Sequence, residues 1–385
     1  MIRKIAGFIL SIVVTVSIQA QDKFITRYGR LDNVRYHIKT DKRATVTFLG
    51  GSITNMEGWR TKVCDYLTAA YPATDFRFIN AGIPSLGSLP HAFRFEQDVL
   101  GKGKTDLLFL EAAVNDRVNG TNEVTQRRAM EGIIRHALKA NPQVNIVLMA
   151  FVDEDKMADY HAGKVPVEVQ VHEDLAKKYH LPFINLAKEI TTRIDAREFT
   201  WKDDFKDLHP APFGQQLYFN AIKRLLEEDF SAPAPERLLS VKLPRAADPL
   251  NYENSAYGDI HDAVHQNGFR IIASWEPSDN VGTRPGFVKV PMLVSDTARA
   301  SVDYPFTGRT IGISIVSGPD AGVISYRIDG GAVQQKDLRT QWSKSLYLPW
   351  YLILGDDLKP GRHILSLQKE GDATVCRVVY FLVNK

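Results

Sequence analysis

Cysteine is almost missing: Cys64 and Cys376 are the only two in 385 residues. One falls in a helical pattern and the other in a strand pattern of a different region, so no disulfide is expected between them. Charge of one sign is lacking too. The 48 Lys and Arg nearly offset the 45 Asp and Glu, the formal net charge is +3, and the two signs are interspersed. No basic face therefore marks a nucleic-acid partner. After the leader described below, no apolar run approaches the roughly 20 residues of a bilayer span, and no repeat period points to a solenoid or propeller. The ten histidines are scattered, and His261 with His265 lacks the Glu-rich context of a metal site. Glycine clusters are not followed by the Lys-Ser or Lys-Thr pair of a phosphate cradle. Neither metal nor cofactor is expected.

What is present begins with Arg3 and Lys4, an apolar run over 5–16, and a polar stretch ending at Ala20-Gln21-Asp22. This predicts a secretory signal peptide over residues 1–20, hence a secreted or periplasmic protein without a stable membrane anchor. Apolar strands then alternate with amphipathic helices. Strands are predicted at 44–49, 76–80, 107–111, 144–151 and 182–186, with helices at 58–71, 92–100, 124–140, 167–180 and about 210–229. That alternation calls for right-handed crossovers and a parallel sheet covered on both faces, a three-layer α/β/α catalytic domain over 23–230. Pro and Ala in Ser231-Ala232-Pro233-Ala234-Pro235 mark a linker over 231–249. From 250 to 385, alternating β-branched runs at 310–316, 322–328, 363–367 and 374–383 predict an all-β sandwich.

The chain is organised around Phe48-Leu49-Gly50-Gly51-Ser52-Ile53-Thr54, a buried strand running into paired glycines, a serine and a helix. A serine at the carboxyl end of such a strand sits where open α/β sheets hold ligands. Acyl transfer by serine needs a base and a group that orients the base. His209, in Asp207-Leu208-His209-Pro210 before the last helix, is the candidate base, with Pro210 suited to the first helical turn. Asp207 is the first candidate to orient it, since residues two apart in an extended loop point the same way; Asp204 is the second. Oxyanion donors are expected from the Asn115 amide, after the third strand, and from a backbone N–H of the small-residue connection 80–88, with Gly87 the first choice and Ser85 the alternative.

Ser52, the glycine loop, Asn115 and His209 follow one another in the order of the four blocks of the SGNH hydrolase (GDSL-like esterase) superfamily, which this region resembles from about 42 to 229. The resemblance implies a flavodoxin-like sheet, Ser52 as nucleophile, His209 as base, and an oxyanion hole from the Ser52 N–H, Gly87 and Asn115. Three positions depart from that pattern. Gly51 stands where the family often has aspartate, and Ala113 replaces a glycine and is expected to crowd the backbone slightly. Lys206 occupies the usual place of the orienting aspartate, so that either Asp207 substitutes or a Ser-His dyad operates. The C-terminal region, with Phe306-Thr307-Gly308 and Pro360-Gly361-Arg362-His363, resembles the jelly-roll companion of two-domain carbohydrate esterases. Together these resemblances imply an acylated carbohydrate as partner and O-acetyl as the group removed. A lipase or thioesterase of the same superfamily, and a non-catalytic glycan-binding protein, are the competing functions. The sugar, the oligomeric state and the part played by the sandwich are not legible.

Overall fold

The computed structural model describes residues 23–385, so the expected signal peptide lies outside the described residues. The first domain is a six-stranded sheet made of β1 (Ile25–Arg27), β2 (Arg43–Gly50), β3 (Asp75–Gly82), β4 (Leu107–Glu111), β5 (Asn145–Met149) and β6 (Pro182–Ile184). Its order is β1-β6-β5-β4-β2-β3. Strands β2 to β6 are parallel, as their near-continuous apolar composition predicts. The sixth strand was not expected. β1 is a three-residue piece that pairs antiparallel with β6, too short to carry a periodic signal.

Helices cover the faces: α1 (Asp32–Tyr36), α2 (Ser52–Asn55), α3 (Trp59–Ala70), α4 (Ser88–Asp98), α5 (Ala113–Val118), α6 (Glu123–Ala140), α7 (Glu154–His161), α8 (Val167–Tyr179), α9 (Leu186–Asp195) and α10 (Pro212–Ser231). α7 and α9 were not anticipated, and Leu186 opens α9 instead of closing β6. After β2 the chain passes to β3 on one side and then returns to β4 on the other. The crevice between the carboxyl ends of β2 and β4 is thus the topological switch point of the sheet, where ligands bind in such folds.

The second domain packs two antiparallel sheets. One runs β15 (Leu348–Gly355), β12 (Thr310–Ser317), β17 (Cys376–Asn384), β10 (Val290–Ser295) and β9 (Arg270–Trp275), with β7 (Ser255–Gly258) also paired to β17. The other runs β14 (Gln334–Asp337), β13 (Val323–Ile328), β16 (Gly361–Lys369), β11 (Ser301–Gly308) and β8 (Val264–Asn267). Ile311, Ile313, Ile315, Leu365 and Phe381 fill the space between the sheets.

The outer face of the β12–β17 sheet is not solvated. Val316, Val379 and Leu382 join the core of the first domain, and the Ser255 hydroxyl donates to the Ala92 carbonyl at 2.8 Å. Every residue of β12 is consequently buried. Arg128, on α6, adds a charged clasp, donating to Asp248 and Asp356 at 2.7 Å each. The stretch 231–249 lies against the first domain as well, through the Asn33 amide on Leu239 and the Val241 N–H on the Pro142 carbonyl. Among the described residues no helix is long and apolar enough to cross a membrane.

Candidate active site

Strand β2 ends at Gly50 and the chain turns through Gly51 into α2, whose first residue is Ser52. Both glycines are required by closeness and not by handedness, since Gly51 has φ −88°. A Cβ on Gly50 would sit 2.3 Å from the Thr54 hydroxyl, and one on Gly51 would sit 1.9 Å from the Asn115 side-chain oxygen. The bare backbone at Gly51 is what lets the Asn115 amide approach the serine turn.

Ser52 Oγ lies 2.8 Å from His209 Nε2. The histidine comes from a tight loop between a short helical turn (Trp201–Phe205) and α10. Phe205 is fully buried and accepts the Ala211 N–H at 2.9 Å, which pinches the loop and pushes His209 outward. Pro210 stays in this loop, contrary to expectation, and Pro212 takes the first helical position.

Asp207 is near the base without gripping it. Its carboxylate accepts the His209 backbone N–H at 2.6 Å, while Oδ1 is 3.8 Å from the ring Nδ1. Asp204 is turned away, accepting the Thr200 N–H at 2.7 Å.

Asn115 is the third residue of α5, which starts where β4 ends. Ala113 fits this helix fully buried and with φ negative, so the expected crowding is absent. Gly87 and Ser85 are placed differently from the first choice. Gly87 is buried behind the site, where a Cβ would meet Asp116 Oδ1 at 2.4 Å. Ser85 lines the cavity with Ser52 and Asn115, adopts φ +73°, and has its carbonyl held by the Asn119 amide at 2.9 Å.

Asp116, not singled out in the sequence, ties the 80–88 connection to α5. Fully buried, it accepts the Ser88 N–H at 2.8 Å and the Ser88 hydroxyl at 3.0 Å. Burial pushes its carboxyl up to about 7, against the pull of the Ser88 hydrogen bonds and with a smaller push from Glu168. Burial also raises Glu111 to about 7, against Lys156.

A carboxyl raised on folding holds its proton longer in the folded state. Its contribution therefore favours folding fully below the ordinary value of 3.8 and is lost as pH rises through about 7. Asp116→Asn keeps an acceptor for Ser88, and should flatten the fall in melting temperature between about pH 5 and about pH 8. Equal slopes in parent and variant would contradict this assignment; Glu111 accounts for a residual slope in both.

The cavity in front of Ser52 is about 210 Å³. Its first-domain wall is Pro84, Val114 and Leu208, and its far wall is supplied by the sandwich through Arg284, Trp342, Leu346 and Leu348. Those sandwich loops are tied together by the Gly282–Leu346 bridge and by the Tyr347 N–H on the Gly282 carbonyl at 2.8 Å. Neither Trp59 nor Trp201 lines this cavity. Trp59 is core, packed on Phe48, Phe109 and Phe151, and Trp201 stacks on Phe205. Arg94 pairs with Asp98 and Arg117 with Asp159, each outside the cavity wall. Among the described residues no group of His, Cys, Asp and Glu could hold a metal ion. A larger hollow of about 900 Å³ on the sandwich, beside Tyr304 and His363, includes neither Ser52 nor His209.

Residues 48–217 match the model of the GDSL-like Lipase/Acylhydrolase family. No curated protein matches the chain significantly. Among solved structures, a two-domain esterase (CEX) active on acetylated mannans superposes with a TM-score of 0.76 at 21% identity, over 94% of this chain and 97% of that chain. The same esterase co-crystallised with mannopentaose gives 0.75 at 21%, over 94% and 96%. An acetyl xylan esterase (Axe2) from Geobacillus stearothermophilus aligns over 48% of this chain and 96% of its own, at 18% identity and a TM-score of 0.41. At 21% identity the CEX likeness establishes the shared two-domain fold.

Proposed function

Because residues 48–217 match the model of the GDSL-like Lipase/Acylhydrolase family, we propose that this chain is a serine esterase removing small O-acyl groups, acetyl foremost, from polysaccharide or oligosaccharide. The observation that carries the proposal is the 2.8 Å approach of Ser52 Oγ to His209 Nε2 at the mouth of a cavity that also receives Asn115. Ser52 attacks the ester carbonyl while His209 takes its proton. The tetrahedral oxyanion is held by the Ser52 N–H, left unpaired at a helix start, by the Asn115 amide, and by a backbone N–H for which Ser85 is better placed than Gly87. His209 then protonates the departing sugar hydroxyl, and afterwards draws a proton from the water that frees the acid. No cofactor enters this scheme.

Cavity size supports a short acyl group. At about 210 Å³ it falls below the roughly 300–1,000 Å³ typical of drug-sized ligands, which leaves little room for a fatty chain. A carbohydrate substrate is supported by the two-domain fold shared with the mannan-active esterase. Secretion or a periplasmic site rests on the leader pattern, and N-terminal sequencing of the protein recovered outside the cytoplasm tests it.

The direct test is acetate release from a panel of acetylated polysaccharides by the wild-type protein, with a small activated acetate ester and its long-chain counterpart alongside. Release from glycans and preference for the short ester are expected. No release from any glycan or small ester would sink the proposal, and binding of glycans without hydrolysis would then replace it.

Asp207→Ala probes the orienting group. A hydrogen bond to a charged partner contributes about 1.5–3 kcal/mol, so kcat should fall about ten- to a hundredfold. A fall of about 10⁴-fold would instead mark a full triad aspartate.

A further inference from the structure

Among the described residues Arg284 is the one Lys or Arg lining the cavity, and no acid lies beside it. It sits in the loop between β9 and β10, half-buried, donating from Nε to the Ser85 hydroxyl at 3.1 Å and from Nη1 to the Thr283 carbonyl at 3.5 Å. Nη2 has no acceptor, and no carboxylate lies within ion-pair distance of the guanidinium among the described residues. Burial alone lowers its proton affinity, with no acidic neighbour to restore it.

Arginines buried more deeply than Arg284 are handled differently, while Arg60 and Arg309, half-buried and also without a carboxylate, do not line the cavity with Ser52. Arg94 meets Asp98, Arg128 meets Asp248 and Asp356, Arg135 meets Glu253, and Arg377 meets Asp320. Taking a charge out of water without a counter-charge is costly, and the planar guanidinium fork is matched to carboxylates. The missing partner is supplied most economically by whatever fills the cavity.

We propose that Arg284 is an anion-recognising specificity residue of the acyl site, pairing with a carboxylate carried by the substrate. This rests on the esterase function proposed above. The carboxylate can come from two sources, a uronic acid residue of the glycan or a dicarboxylic acyl group esterified through one end. Either way the sandwich selects for charge while the first domain performs the transfer.

The test compares kcat/KM of wild type, Arg284→Gln and Arg284→Lys on three probes: an acetylated neutral mannooligosaccharide, an acetylated oligogalacturonide, and a half-succinylated neutral oligosaccharide. Wild type should prefer one acidic probe over the neutral one by about ten- to a hundredfold, the range of a charge-assisted hydrogen bond. Which acidic probe is preferred identifies the source. Arg284→Gln should erase most of that ratio and Arg284→Lys should keep part of it. The ratio should also shrink at about 0.5 M salt, as screening requires.

Loss of the Ser85 contact would slow all probes alike and leave the ratio untouched. An unchanged ratio in Arg284→Gln therefore overturns the inference. Binding separates this failure from failure of the esterase function. Ser52→Ala should bind oligogalacturonide or a succinylated sugar at least tenfold more tightly than the Ser52→Ala/Arg284→Gln double variant, whether or not the native chain hydrolyses anything. Equal affinity of both proteins for both ligands also overturns it.

Discussion

Ser52→Ala should lower kcat/KM on a small acetate ester by about 10⁴-fold or more, and His209→Ala by a comparable factor, while the double variant is hardly worse than either. The expectation follows from the geometry of a unit. Ser52 Oγ and His209 Nε2 are 2.8 Å apart, so the hydroxyl is a poor nucleophile without the ring to take its proton, and the ring has nothing to activate without the hydroxyl. Both side chains are partly exposed, and truncating them opens no core cavity. Melting temperatures should stay close to that of the wild type, which makes the rate loss a chemical one. Strictly additive losses in the double variant would mean that the two residues act in separate steps, contrary to the mechanism proposed.

Asn115→Ala should cost about 10²–10³-fold in kcat with KM little changed, the cost of removing one oxyanion donor in comparable sites. The amide has no hydrogen-bond partner among the described residues and shares the cavity with Ser52. In the mechanism proposed its donor meets charge that appears only in the transition state, so kcat and not KM should bear the loss. Steady-state kinetics on a soluble ester separates the two parameters. A rise in KM alone would make Asn115 a substrate-binding group.

Much of the first domain is written in local pattern. The runs that became β2 to β5 are long, apolar and β-branched, and their helices carry a clear apolar stripe. Some of what escaped was short or polar, as with the three-residue β1, α7 (Glu154–His161) with little apolar content, and the exposed β8 and β14, but the ten-residue α9 and the apolar β15 escaped as well. The candidate residues that the structure brings together, Ser52, Asn115 and His209, were legible because each follows or precedes a recognisable element.

The second connection misled for a physical reason. Gly87 draws attention as the residue free to bend, yet its hydrogen is needed for packing against Asp116, while the left-handed position falls to Ser85, which no propensity favours. Arg284 and Trp342 had no local signal at all. They reach the cavity only because a sheet of the second domain buries its outer face on the first.

That buried face has a consequence for how such enzymes diversify. Because loops of the sandwich form the far wall of the cavity, exchange of residues near 282–286 and 342–348 should, under the function proposed, change substrate choice while leaving the Ser52–His209 pair in place. The two halves nevertheless travel together, since each would expose an apolar surface if parted.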